Sequence, residues 1–213
     1  MSALKLYYLD MAGYAEPIRM ALTLGKIAFE DIRLSREELG KLKQEGKFPL
    51  GQVPCLEIDG KMLPQSTAIL RFAGRKAGFY PDDPLLAAKV DAAIDAGNDI
   101  VPKVVAVLFG PEEGKAAAIK ALTEFAPTYF KNMENLLKAN TSQKYIAGDK
   151  PTIADCLSFT FAVGFLYEKE NPMAPILREA LETAPITKAY LEGLVNVEFK
   201  DYKDTAPSYN KKK

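Results

Sequence analysis

The sequence predicts a small α/β domain of βαβ–ββα order over residues 1–79, a linker at 80–84 and an all-helical domain over 85–213. Three observations predict this division. Short β-rich runs alternate with helical patterns only in the first third of the chain. Tyr80-Pro81-Asp82-Asp83-Pro84 then places two prolines closer together than a regular element tolerates. Beyond them, apolar residues recur only at helical spacing. A chain of 213 residues is long enough to bury the core that two such domains need.

Leu4 to Leu9 is a β-rich run with Leu4, Leu6 and Tyr8 on one face, halted at Asp10-Met11-Ala12-Gly13. A helix follows with Pro17 in its first turn and an apolar stripe of Ile18, Ala21 and Leu22; Gly25 is expected to end it in left-handed geometry. Ala28 to Leu34 reads as a second strand, and strand–helix–strand order implies a parallel pair joined by a right-handed crossover. Ser35 to Gly46 reads as a short, loosely docked helix marked by Leu39 and Leu42. Cys55 to Asp59 and Lys61 to Leu63 form an antiparallel hairpin about Asp59-Gly60. Ser66 is expected to cap the next helix, whose inward side carries Ile69, Leu70 and Ala73 and which Gly78 stops.

Beyond the linker a long helix is expected from about Leu85 to Phe109, and another over Ile119 to Leu137. Thr152-Ile153-Ala154-Asp155 is a capping box with Asp in the place of Glu, and it leads into an apolar helix from Cys156 to Tyr167. Weaker helices around Pro175 to Leu181 and Ile186 to Val197 precede a lysine-rich tail, read as solvating.

Composition narrows the function. Lys+Arg and Asp+Glu number 28 each, so no net basic field draws nucleic acid or an anionic membrane. The apolar run from Cys156 to Tyr167 spans only about a dozen residues, where a membrane helix needs roughly 20. Histidine and tryptophan are absent, which excludes Ser-His-Asp and Cys-His catalysis and histidine metal ligands; no metal site is expected. Two cysteines and no signal-peptide pattern suit a reducing cytoplasm. Without such a signal Asn140-Thr141-Ser142 reads as an exposed polar loop rather than a glycosylation acceptor.

The βαβ–ββα order has the thioredoxin-like layout, in which a proline opening the third strand can be held cis with the preceding backbone groups exposed. Val53-Pro54 is that candidate, and an extended peptide can add to such an edge by main-chain hydrogen bonds. Ser66 and the start of its helix supply hydroxyl and N–H donors for a carboxylate. Redox proteins of this layout carry a cysteine where the first strand meets the first helix; here that junction is Met11-Ala12-Gly13-Tyr14, with no thiol. Tyr8, at the end of the strand, offers a phenol donor instead. Cys55, in mid-strand, and Cys156, in the apolar helix, read as core residues. The hairpin is thus one wall of a cleft for a small, extended, anionic ligand.

Tyr8-Leu9-Asp10-Met11-Ala12-Gly13-Tyr14-Ala15-Glu16, Leu39-Gly40-Lys41-Leu42-Lys43, Gln52-Val53-Pro54, Glu57-Ile58-Asp59-Gly60, Gln65-Ser66 and Thr152-Ile153-Ala154-Asp155 together resemble the cytosolic glutathione transferases of the tyrosine type, sigma class first and alpha class next. The resemblance spans nearly the whole chain. It implies that glutathione is the cosubstrate and that Tyr8 hydrogen-bonds its sulfur. It further implies that Gly51, Gln52, Val53 and Pro54 line the site, with Val53 pairing to the cysteinyl part, while Gln65 and Ser66 hold the γ-glutamyl carboxylate and Lys43 and Gln52 the glycyl end. Asp91, Asp95 and Asp99 form a carboxylate stripe at helical spacing. Asp99 matches the family aspartate that reaches the neighbouring subunit's glutathione, which implies a homodimer. The acceptors implied are small hydrophobic electrophiles.

Three residues depart from that pattern. Tyr14 replaces an arginine that supports the thiolate, Leu39 stands where a tryptophan often contacts glutathione, and Leu50 stands where alpha enzymes carry an aromatic interface key. The same activated thiolate serves conjugation, isomerisation or peroxide reduction. A non-enzymatic binding protein that keeps the fold is a further alternative.

Overall fold

The structure, a computed structural model, describes residues 3–168 and 170–209. It divides into two units: one runs to Pro81 and takes in the chain from Asp201 onward, the other is Asp82–Lys200. In the first unit β1 (Leu4–Leu9) pairs in parallel with β2 (Glu30–Leu34) and antiparallel with β3 (Cys55–Ile58), which pairs antiparallel with β4 (Lys61–Pro64). The mixed sheet therefore has the order β2-β1-β3-β4. The hairpin turn needs left-handed backbone at both central residues, which Asp59 (φ 49°) and Gly60 (φ 82°) provide.

Three helices accompany the sheet: α1 (Glu16–Leu24), α2 (Arg36–Gln44) and α3 (Ser66–Ala77). Period-two alternation sends Leu6 of β1 into full burial, as are Leu56 of β3, Ile18 and Leu22 of α1 and Ile69 of α3. Each such side chain contributes about 1.5–3 kcal/mol by leaving water. Tyr7 points the other way and joins Leu34, Phe48 and Cys55 in a smaller core, against which Leu39 and Leu42 of α2 pack while no residue of α2 is fully buried. Ser35 and Glu38 open that helix with a reciprocal capping box.

Three local expectations are corrected. Gly25 is not left-handed (φ −74°); Lys26 takes that conformation (φ 55°). Glycine is required at 25 for a different reason, since a Cβ there would lie 2.3 Å from the Cβ of Ala77, where α1 and α3 approach. Ser66 does not cap α3: Gln65 is the N-cap, without a side-chain cap bond, and Ser66 is the first helical residue. The lysine-rich tail is not simply solvating. Lys200–Thr205 forms α9, and Tyr202 and Ala206 are buried; Lys211 to Lys213 lie outside the described residues.

The second unit contains α4 (Pro84–Phe109), α5 (Lys115–Ala139), α6 (Ile153–Phe161), α7 (Ala174–Leu181) and α8 (Pro185–Gly193). Asp83 caps α4 by accepting the Leu86 N–H at 2.7 Å, and Pro84 opens the helix where its missing N–H costs nothing. The apolar run after Thr152 is α helix only to Phe161 and continues as a wide π turn over Ala162–Leu166. Tyr129, Phe130 and Phe161 meet in edge and tilted contacts at 5.2–6.4 Å between centroids. Among the described residues no helix is long and apolar enough to cross a membrane.

Glu134 of α5 is buried and accepts from Lys138 (2.9 Å), Lys131 (3.0 Å) and the Ile186 N–H of α8 (3.1 Å). Hydrogen bonds from Lys138 and Lys131 hold its carboxyl at about 2. A carboxyl with a depressed folded pKa stabilises the fold above its ordinary range, and that contribution fades as pH falls toward the folded value. The stability gap between the native chain and Glu134→Gln should therefore be full at neutral pH and close between about pH 4.5 and 2. Urea midpoints across that range check it; a gap independent of pH would contradict the assignment.

Candidate functional site

The first unit carries a cleft of about 510 Å³ lined by Tyr8, Leu9, Tyr14, Leu39, Lys43, Gln52, Val53, Pro54, Gln65 and Ser66. The fold brings these together from four places: the end of β1 and the turn after it, α2, the approach to β3, and the entry to α3. Of the sequence-predicted site residues, Tyr8, Lys43, Gln52, Val53, Pro54, Gln65 and Ser66 line it. Gly51 lies one residue outside, exposed and left-handed (φ 61°). Asp99 is exposed on α4 in the second unit.

Tyr8 is buried at 6% exposure, and its oxygen accepts the backbone N–H of Tyr14 at 3.2 Å. That bond leaves the phenol proton available to an acceptor in the cleft. Burial pushes the phenol pKa up, while the Tyr14 N–H and the nearby Arg19 guanidinium pull the other way. Gly13 makes the approach possible. It is left-handed (φ 45°), and a Cβ there would stand 2.5 Å from the Tyr8 hydroxyl oxygen, so any other residue would push the ring aside.

Across the cleft the Val53–Pro54 peptide bond is cis. At the entry to α3, Gln65 sits at φ 76°, ψ 114°, a backbone conformation that costs a non-glycine residue about 1–3 kcal/mol. No pattern in the sequence signals that strain. The first N–H groups of α3 have no acceptors within the helix, so its entry presents donors and the positive end of the helix dipole. Lys43 adds an exposed cation on α2. The site thus offers one buried phenol donor, a helix start, a lysine and an extended backbone, a set suited to a small anionic peptide rather than to a metal.

Neither thiol lines the cleft. The Cys55 sulfur is fully buried and donates to the Leu63 carbonyl at 3.4 Å, and burial raises its pKa. Burial likewise pushes the Cys156 thiol up. Leu9 is a lining residue without a signal in the sequence; it follows Tyr8 at the strand end, where alternation alone gives it no functional mark.

Residues 4–75 match the glutathione S-transferase N-terminal domain, and residues 98–194 match the glutathione S-transferase C-terminal domain. Glutathione S-transferase 1 of Ascaris suum is 38% identical over 161 residues, covering 73% of this chain and 76% of its own. Among solved structures, the monomeric glutathione S-transferase Na-GST-3 of Necator americanus superposes with a TM-score of 0.82 at 32% identity, covering 96% of this chain and 98% of its own. Prostaglandin synthase D of Nilaparvata lugens superposes with a TM-score of 0.79 at 30% identity, covering 96% and 98%.

Proposed function

The chain belongs to the glutathione S-transferase family, whose activity is to join glutathione to electrophiles, and on that premise we propose that Tyr8 is the residue that activates the glutathione thiol. The observation that carries the reading is the buried Tyr8 hydroxyl, whose oxygen is occupied by the Tyr14 N–H and whose proton remains for an acceptor in the cleft. Donating that proton to the glutathione sulfur favours thiolate over thiol and lowers a pKa that starts near ~8.5. The thiolate is then the nucleophile, so a protein without histidine needs no general base. It attacks the electrophilic carbon of a small hydrophobic acceptor, and the leaving group departs with the electron pair.

In the same reading Val53 pairs its backbone with the cysteinyl part of glutathione, flanked by Gly51 and Pro54. Gln65 and Ser66 hold the γ-glutamyl carboxylate at the start of α3, and Lys43 and Gln52 hold the glycyl end. Because Ser66 is the first helical residue rather than the cap, Ser66→Ala should weaken glutathione binding by about 1.5–3 kcal/mol, one to two decades in affinity. Stability should change by less than about 0.5 kcal/mol. Calorimetric titration with glutathione beside a denaturant midpoint tests both, and undiminished affinity would remove Ser66 from the site.

A homodimer in which Asp99 reaches the partner's glutathione belongs to this proposal, supported by Leu50, exposed at 54% in the loop before the cleft. Sedimentation should find a dimer at micromolar concentration; a fully active monomer would reject it, and Na-GST-3 is itself monomeric. The cytoplasm is the proposed location. A second reading, glutathione-dependent isomerisation, is favoured by the likeness to prostaglandin synthase D; it uses the same thiolate and differs in regenerating glutathione. A screen of activated aryl halides, peroxides and isomerisable substrates separates these activities, and glutathione retention with no turnover on any of them would favour the non-enzymatic alternative.

A further inference from the structure

Behind Tyr8 the first unit contains a buried ionic network that the proposed chemistry leaves unused. Arg19 of α1 is 3% exposed and Glu16 is 1% exposed. The Arg19 Nη1 donates to the Met11 carbonyl at 2.9 Å, to the Ala12 carbonyl at 3.3 Å and to Glu16 Oε2 at 3.0 Å, while its Nε donates to Asp31 at 2.9 Å. One arginine therefore ties both carbonyls of the turn between β1 and α1, the turn whose Tyr14 N–H holds the Tyr8 oxygen. The guanidinium carbon lies 5.9 Å from the centroid of the Tyr8 ring, and Nη2 is buried without a hydrogen-bond acceptor among the described residues. An unspent cationic N–H group beside an aromatic ring is attracted to the ring face and draws charge from it.

The far side of the network is the C-terminal segment. Tyr202 donates to Glu16 Oε1 at 2.8 Å, and the Ser208 hydroxyl donates to Glu16 Oε2. Arg33 donates to Ser208 at 3.0 Å and to Asp31 at 2.7 Å, so both carboxylates that hold Arg19 are themselves held. Tyr209 also lies within electrostatic reach of Glu16 and Arg19. Every hydrogen bond of the network joins residues of one unit, even where the partners stand about 190 positions apart in sequence.

We propose that Arg19 is a positioning residue for Tyr8, and that the C-terminal segment sets Arg19 through the bonds of Tyr202 and Ser208 to Glu16. Arg19 fixes the Met11–Ala12 carbonyls, the turn presents the Tyr14 N–H, and that N–H orients the Tyr8 oxygen so that its proton faces the cleft. In this chain Tyr14 occupies a position where the resemblance implies an arginine, and the cation that stands over the Tyr8 ring is Arg19. The charged and titratable groups facing the pair are Arg19 and Tyr14 at Tyr8, Glu16 and Asp31 at Arg19, and Arg33, Tyr202 and Tyr209 around the carboxylates.

The consequence for catalysis rests on the reading of Tyr8 as the donor to sulfur, so the test measures the two separately. The full chain labelled with ¹³Cζ-tyrosine reports the ionisation of Tyr8 directly, its signal assigned by absence in Tyr8→Phe; thiolate absorbance of bound glutathione reports activation. Tyr202→Phe combined with Ser208→Ala removes the tail's two hydrogen bonds to Glu16 while keeping every charge in the network, and Arg19→Lys keeps the charge but loses the forked geometry. Both should raise the Tyr8 phenol pKa by about half a unit and lower kcat/KM at pH 6.5 about threefold, through kcat, with KM for glutathione within about twofold. A merely structural tail would lower stability and leave the Tyr8 titration where it was, which overturns the proposal. If Tyr8→Phe raises the bound-thiol pKa and the other variants leave both titrations unmoved, the positioning role fails alone. If they shift the Tyr8 titration while Tyr8→Phe leaves the thiolate unmoved, the positioning role stands and the donor reading falls.

Discussion

Tyr8→Phe should lower kcat/KM at pH 6.5 by about 10–100-fold while leaving glutathione affinity nearly unchanged. The size follows from the bond removed: a hydrogen bond to a charged group is worth about 1.5–3 kcal/mol, equivalent to about one to two units in the pKa of the bound thiol. Below that pKa the rate follows the thiolate fraction, so the loss is largest in mild acid and shrinks as pH rises toward ~8.5, where free glutathione ionises unaided. Affinity is spared if, as proposed, the remaining contacts reach the carboxylates and backbone of the ligand, not its sulfur. Ser66→Ala should show the opposite pattern, weaker binding with an unmoved thiol pKa. Thiolate absorbance against pH, beside calorimetry for both variants, decides it. If Tyr8→Phe abolishes binding and Ser66→Ala spares it, the assignments of the two ends of the cleft are reversed.

Asp155→Ala should be the most damaging single change to the second unit. Its carboxylate is fully buried and accepts from the Thr152 N–H (2.7 Å), the Thr152 hydroxyl (2.9 Å), the Ile146 N–H (2.9 Å) and the Tyr190 hydroxyl (2.8 Å). As an N-terminal helix cap alone the group would be worth about 1 kcal/mol. Truncation instead strands several donors where no water reaches, for an expected loss of about 3–5 kcal/mol. In a chain of this size that corresponds to a drop of roughly 6–20 °C in Tm. Calorimetric melting of Asp155→Ala beside Thr152→Ala, which removes the cap hydroxyl but leaves the Ile146, Thr152 N–H and Tyr190 bonds to the carboxylate, separates the two magnitudes. A fall of under about 2 °C for Asp155→Ala would mean the network holds little together.

The contrast between those two magnitudes shows where sequence reading stops. The capping box at Thr152 and Asp155 is a local pattern, three residues apart, and it is legible because helix starts have a fixed spacing. That the same carboxylate also holds Ile146 and Tyr190 depends on elements 9 and 35 positions away, which no local pattern encodes. Lys43, the stretch from Gln52 to Pro54, and Gln65 with Ser66 were likewise legible as one group of motifs, and the fold brings them to the lining of one cleft. The strained φ of Gln65 and its role as the cap in place of Ser66 were not, because backbone angles at an element boundary are set by the packing on either side.

By itself the sequence determined the βαβ–ββα order of the first elements, the parallel β1–β2 pair, the antiparallel β3–β4 hairpin and the lack of histidine for chemistry. These follow from residue type and spacing, which act over a few positions. Only the tertiary structure decided that Gly13 must be glycine for the Tyr8 ring, that Gly25 serves a helix contact rather than a cap, and that the tail from Asp201 packs with the first unit to grip Glu16. Each of these is a close approach between residues distant in the chain. Such approaches arise when apolar faces are buried against one another, and the polar groups carried inward with them must then find partners wherever the fold has placed them.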